Sequence, residues 1–185
     1  MSDLAVLDRA RAAIDLHARV VPDFPEPGVE FKDLTPVLAD PAGLEAVIAA
    51  LASCCDGADL IAGIDARGFL LGGAVARELG VGVVAVRKAG KLPPPVIGVD
   101  YQLEYGTARL EVPAQGVGFT GKRIAVIDDV LATGGTVLAA AQLLHDAGAH
   151  IDDVAVMMEL PVLDGRAAIA SRHGDAVRVH TLCHG

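Results

Sequence analysis

VIDDVLATGGT, residues Val126–Thr136, is the stretch whose reading decides the fold. With the residues just before it, it continues the apolar run Arg123–Ile127, which reads as a buried strand. The run ends in paired acids, Asp128 and Asp129, and a short loop leads into an amphipathic helix expected over Thr136–Ala147. Ala132, Thr133, Gly134, Gly135 and Thr136 put small residues where a backbone has to come close to a ligand. Their N–H groups and the dipole of the following helix suit a phosphate dianion. Thr133 and Thr136 add hydroxyl donors, and two carboxylates at a strand's end can accept from vicinal ribose hydroxyls. A plain strand–turn–helix capped by Asp and Thr explains one acid and one Thr. It does not explain two acids, two glycines and two threonines together.

Outward from this unit the chain alternates. Residues 3–20 have helical spacing (Leu4, Leu7, Ala10, Ile14), and Val21–Pro36, rich in Pro and Gly, reads as an ordered loop. Asp40–Pro41 opens a helix to about Ser53, with Asp40 as N-cap and Pro41 in the first helical position. Strands are expected over Asp59–Ile64, Gly82–Val86, Val154–Glu159 and Val177–Leu182. Helices are expected over Gly68–Leu79 and Gly165–Ser171. Tyr101–Leu103 and Arg109–Val112 suit a hairpin around Tyr105–Gly106. Strands alternating with helices imply an α/β fold, a mostly parallel sheet flanked by helices on both faces. Ligands of such sheets sit at the carboxyl ends of the strands.

The composition narrows the classes. With 185 residues, 52% hydrophobic, the chain suits one packed domain, residues 1–185, and its 3% aromatics leave the core to Ala, Val, Leu and Ile. A net charge of −9 disfavours nucleic acid or anionic membrane as a partner and makes the basic cluster Arg87, Lys88 and Lys91 informative. The longest apolar stretch, Phe69–Ala76, is far short of the about 20 residues that span a bilayer. The charged N-terminus lacks a signal peptide's apolar core, so the protein reads as cytoplasmic. Three cysteines without Cys-x-x-Cys, and six scattered histidines, offer neither a disulfide framework nor a protein-built metal site. GVGFTG, Gly116–Gly121, fits the dinucleotide fingerprint by letters, and Gly116 to Lys122 nearly spells a phosphate-binding P-loop. Both precede a strand instead of joining a strand to a helix, so both read as a connecting turn.

The run Val126–Thr136 resembles the signature of the type I phosphoribosyltransferases. FPEPGVEFKDLTPVLADP (Phe24–Pro41), GIDARGF (Gly63–Phe69), VRKAGKLP (Val86–Pro93) and YQLEYGTARLE (Tyr101–Glu111) are similar, in order and spacing, to the adenine phosphoribosyltransferases. The resemblance implies that fold with a small N-terminal hood, residues 1–36 holding a helix and the base-binding segment, and a flexible lid loop over 92–112. It implies transfer of a phosphoribosyl group from 5-phosphoribosyl-1-pyrophosphate to adenine, with Mg²⁺ carried mainly by the donor, in a homodimer. In that reading Asp128 and Asp129 hold the ribose hydroxyls and residues 132–136 the 5′-phosphate. Asp65, Ala66, Arg67 and Gly68 take the pyrophosphate, helped by Arg87, Lys88 and Lys91; Asp65 stands where many relatives have Glu. Phe31 stacks on the purine while backbone groups of Glu30 and Lys32 read its edge. Glu104 handles the base's proton, and Tyr105 lies beside it in the lid. Open alternatives are a related enzyme for xanthine, hypoxanthine or orotate, and a non-catalytic ligand sensor on the same fold. An oxidoreductase is weakened by the misplaced fingerprint.

Overall fold

The computed structural model describes residues 3–24, 26–28, 30–103 and 106–185. Its main sheet grows from β3 (Leu60–Ile64) and β7 (Arg123–Leu131), which pair in parallel at the centre. On one side β3 pairs in parallel with β4 (Gly82–Lys88). The antiparallel hairpin of β5 (Val96–Leu103) and β6 (Gly106–Pro113) then joins through β6. On the other side, β8 (His150–Glu159) and β9 (Arg178–His184) continue the sheet in parallel. The order is β5-β6-β4-β3-β7-β8-β9, so the mostly parallel sheet read from the sequence is the observed one.

Side-chain alternation explains why both faces are covered. In β3 and β7, Leu60, Ala62, Ile64, Ile124 and Val126 point into one core with α5 (Gly135–Asp146) and Ile169 of α6 (Gly165–His173). Ile61, Ala125 and Ile127 point into the other. That second core is closed by α1 (Asp3–His17), α3 (Pro41–Ser53) and α4 (Arg67–Leu79). Asp40 caps α3 as expected, accepting from the Gly43 N–H at 2.7 Å, with Pro41 in the first turn.

Two expectations need correction. The stretch 21–36 is not one loop: β1 (Arg19–Pro22) and β2 (Glu30–Asp33) pair as a separate two-stranded antiparallel sheet, the hood. A short helix, α2 (Thr35–Ala39), follows, with Pro36 in its first turn, where a missing N–H costs nothing. The segment 92–112 is mostly a registered hairpin, paired from Val96↔Pro113 to Leu103↔Gly106. Leu110 and Val112 are fully buried, and Ile97, Val99 and Tyr101 pack on the same core, so the hairpin has an apolar face. Among the described residues no helix is long and apolar enough to cross a membrane.

Candidate active site

The strand order reverses between β3 and β7, and a crevice opens at the carboxyl ends of strands on either side of such a reversal. The loops after these two strands, residues 65–67 and 132–134, carry most of the expected site. They are pressed together because α4 starts against β7: a Cβ on Gly68 would lie 2.6 Å from the Ile127 carbonyl oxygen and 3.2 Å from Asp128 Oδ1. Only glycine allows that approach.

β7 extends four residues beyond the expected Ile127, so both acids lie within the strand and face opposite ways. Asp128 lines a small cavity of about 80 Å³ formed with residues 130–137, which include Ala132, Thr133, Gly134, Gly135 and Thr136. Its carboxylate accepts from the Asp129 N–H at 2.9 Å. Burial first, and then the charge of Asp129, push the Asp128 carboxyl up to about 8. Asp129 is 7% exposed and faces the other way, where it is ion-paired with Arg67 through Nε. Gly134 caps α5 with φ +82, a left-handed conformation that glycine tolerates best.

Arg67 is half-exposed and also lines the second cavity, about 310 Å³, with Arg19, Val21, Phe24, Phe31 and Asp33. Phe24 meets Phe31 edge to face, centroids 5.2 Å apart. Alternation along β2 turns Phe31 and Asp33 into this cavity and leaves Glu30 and Lys32 on the opposite side of the strand. The sequence reading missed Arg19, Val21, Phe24 and Asp33 as lining residues. The alternation in RVV (19–21) was the available signal, but the helical reading of 3–20 absorbed Arg19 and Val20, and the loop reading absorbed Val21.

The basic cluster closes the pyrophosphate side. Arg87 points Nε at Asp65 Oδ2, 3.5 Å away, donates from Nη1 to the Lys91 carbonyl at 3.4 Å, and lies 5.5 Å over the Phe69 ring. The Asp65–Ala66 peptide is cis. Lys88 and Lys91 are exposed. The turn between them is pinned by buried Glu111, which accepts from the Gly90 N–H at 3.0 Å. Of the expected residues, Glu104 and Tyr105 lie outside the described ones. No cluster of three His, Cys, Asp or Glu side chains suited to a metal occurs among the described residues.

A sheet with a phosphate-sized cradle and paired acids at its switch point is the architecture of a sugar-phosphate transferase. The family model "Phosphoribosyl transferase domain" matches residues 35–180, most of the chain. An adenine phosphoribosyltransferase of Mycolicibacterium vanbaalenii is 68% identical over 151 residues, 82% of this chain and 87% of that protein. The crystal structure of an adenine phosphoribosyltransferase from Rhodothermus marinus matches with a TM-score of 0.85 and 41% identity, covering 95% of this chain and 98% of the other. The Saccharomyces cerevisiae enzyme, complexed with an imino-altritol bisphosphate and adenine, matches with a TM-score of 0.84 and 33% identity, covering 94% of this chain and 98% of the other. The chain belongs to the phosphoribosyltransferase family, in its adenine phosphoribosyltransferase branch.

Proposed function

We infer that the crevice transfers the 5-phosphoribosyl group of 5-phosphoribosyl-1-pyrophosphate to adenine, giving AMP and pyrophosphate, the reaction of purine salvage. One observation carries the reading: the compartments lie in a row. The aromatic cavity shares Arg67 with Asp129, Asp129 adjoins Asp128, and Asp128 lines the cradle. Base, ribose and phosphate follow one another in the same order along AMP.

In this mechanism the protein supplies position and charge and no nucleophile. Phe31 stacks on adenine, and backbone groups of Glu30 and Lys32 read its edge. The amides of residues 132–136 and the start of α5 hold the 5′-phosphate. Asp128 and Asp129 take the ribose hydroxyls; Arg67 then gives up Asp129 and, with Arg87, Lys88 and Lys91, meets the pyrophosphate. As the bond from the anomeric carbon to pyrophosphate breaks, the two carboxylates stabilise the positive charge on that carbon. Adenine N9 forms the new bond. Glu104 handles the base's proton, and the segment that holds it and Tyr105 keeps water from competing. Bound with the donor, Mg²⁺ would neutralise pyrophosphate charge, held mainly by the donor's own oxygens, with Asp128 and Asp129 the residues of this chain that would face it. The enzyme works as a cytoplasmic homodimer, a reading that rests on the family resemblance and on the absence of a membrane-crossing helix among the described residues. The test is AMP formation from adenine, donor and Mg²⁺. Failure to form AMP under these conditions, by protein that still binds AMP, sinks the enzymatic reading in favour of a sensor.

A further inference from the structure

The phosphate cradle is backed from outside by the start of α6. A Cβ built on Gly165 would run into the Ala132 carbonyl oxygen and come within 3.0 Å of the Gly134 nitrogen. In the reverse direction, a Cβ on Gly134 would lie 2.8 Å from the Gly165 oxygen. Two backbones are therefore stacked with no side chain between them, and any displacement of one must move the other.

The neighbouring residue fixes where Gly165 sits. Arg166 donates from Nε to both Glu159 oxygens at 3.1 Å and from Nη2 to Oε2 at 2.6 Å. Its Nη1 donates to the Val179 carbonyl at 2.6 Å. Glu159, only 5% exposed, ends β8, and just beyond it the Leu160 N–H donates to the Leu131 carbonyl at 2.9 Å, at the end of β7. One guanidinium thus ties β8, β9 and the first turn of α6 into a frame around the loop. An ion pair with one half-exposed partner is a poor source of net stability, but its forked geometry fixes register well. Neither partner lines the aromatic cavity or the cradle.

We propose that Gly165 and the Arg166–Glu159 pair are positioning residues for the donor's 5′-phosphate, holding the backbone of residues 132–134 where its amides converge. The inference rests on reading that loop as the phosphate site. It assigns a role in substrate binding to a segment that the sequence reading treated only as a helix start.

The test compares AMP with adenosine by calorimetry, and the KM for donor with the KM for adenine, in the full-length protein and in Gly165→Ala, Arg166→Ala and Arg166→Lys. Parent protein that binds adenosine as tightly as AMP would remove the phosphate reading itself, and this inference with it. Given a parent preference for AMP, Gly165→Ala and Arg166→Ala should weaken AMP and raise the donor KM at least tenfold. Adenosine affinity and adenine KM should stay within about twofold. Arg166→Lys, which keeps the charge and loses the fork, should fall between. Should Gly165→Ala fail to fold, the two Arg166 variants carry the same comparison. Equal losses for AMP and adenosine, or a lower melting temperature with an unchanged donor KM, would overturn the proposal and leave a purely structural pair.

Discussion

Asp128 holds its proton far above the ordinary carboxyl range because it is buried and because Asp129 sits next to it. A raised folded-state value means the group's stabilising contribution is present below the unfolded value and lost as pH rises through the folded one. In the ligand-free protein the loss begins near the ordinary carboxyl value, 3.8, and is complete above about 8. Asp128→Asn should therefore melt higher than the parent by roughly 2–4 °C at pH 9, for about 1 kcal/mol in a chain of this size, with the gap closing toward pH 4. The same change should slow turnover by about 2–4 kcal/mol in barrier, because in the proposed mechanism Asp128 is ionised once the donor is bound and its charge faces the cationic carbon. Melting curves across pH and a kcat measurement check both halves, and an unchanged kcat would remove Asp128 from the mechanism. Neighbouring glycines should separate just as cleanly. Gly135 has only ordinary contacts for a Cβ, the nearest being 3.7 Å to the Gln102 oxygen. Gly135→Val should thus keep the fold and lose AMP binding, since its side chain intrudes only on the ligand. Gly134→Ala, forced into a left-handed conformation against Gly165, should cost about 1–3 kcal/mol of stability as well. Urea titration beside AMP binding distinguishes the two.

Among the elements, the β5–β6 hairpin was expected from Tyr101–Leu103 and Arg109–Val112, and it is longer than that reading, Val96–Leu103 against Gly106–Pro113. Its Pro-rich approach and the Gly106 turn look like loop punctuation, whereas its inward residues are spaced every second position, Leu110 then Val112, a run too short to stand out beside charged neighbours. Replacing the whole segment would strip side chains from one core. Leu110→Ala should destabilise the protein by about 2–5 kcal/mol, which equilibrium unfolding measures directly. A value near zero would mean the hairpin is loosely attached and restore the mobile lid. The central units were legible for the opposite reason. Arg123–Leu131 and the helix after it combine a long apolar run, a glycine pair and a helical period, three signals that agree. The hood's strands were not legible from local pattern, because four-residue strands separated by Pro and Gly carry too little of it. The Arg166–Glu159 frame depends on contacts between strands that no local pattern announces. The Arg67–Asp129 pair crosses 62 positions and is equally silent in sequence.

For the whole molecule, substrate choice should follow from the hood. Adenine should exceed hypoxanthine and guanine by at least ~100-fold in kcat/KM, since a wrong edge leaves the backbone groups that read the base unpaired. Parallel assays of the three bases decide this, and comparable rates with hypoxanthine would sink the adenine assignment. The hood's two strands form their own sheet, unconnected by hydrogen-bonded pairing to the seven-stranded one that carries the acids and the cradle. In the proposed reading, the base and the sugar phosphate are met by two sheets that share only Arg67 among the residues lining the aromatic cavity. An inherited change of diet, from one nucleobase to another, could be written into the short stretch from Arg19 to Asp33 while the inherited machinery for sugar transfer stayed as it is.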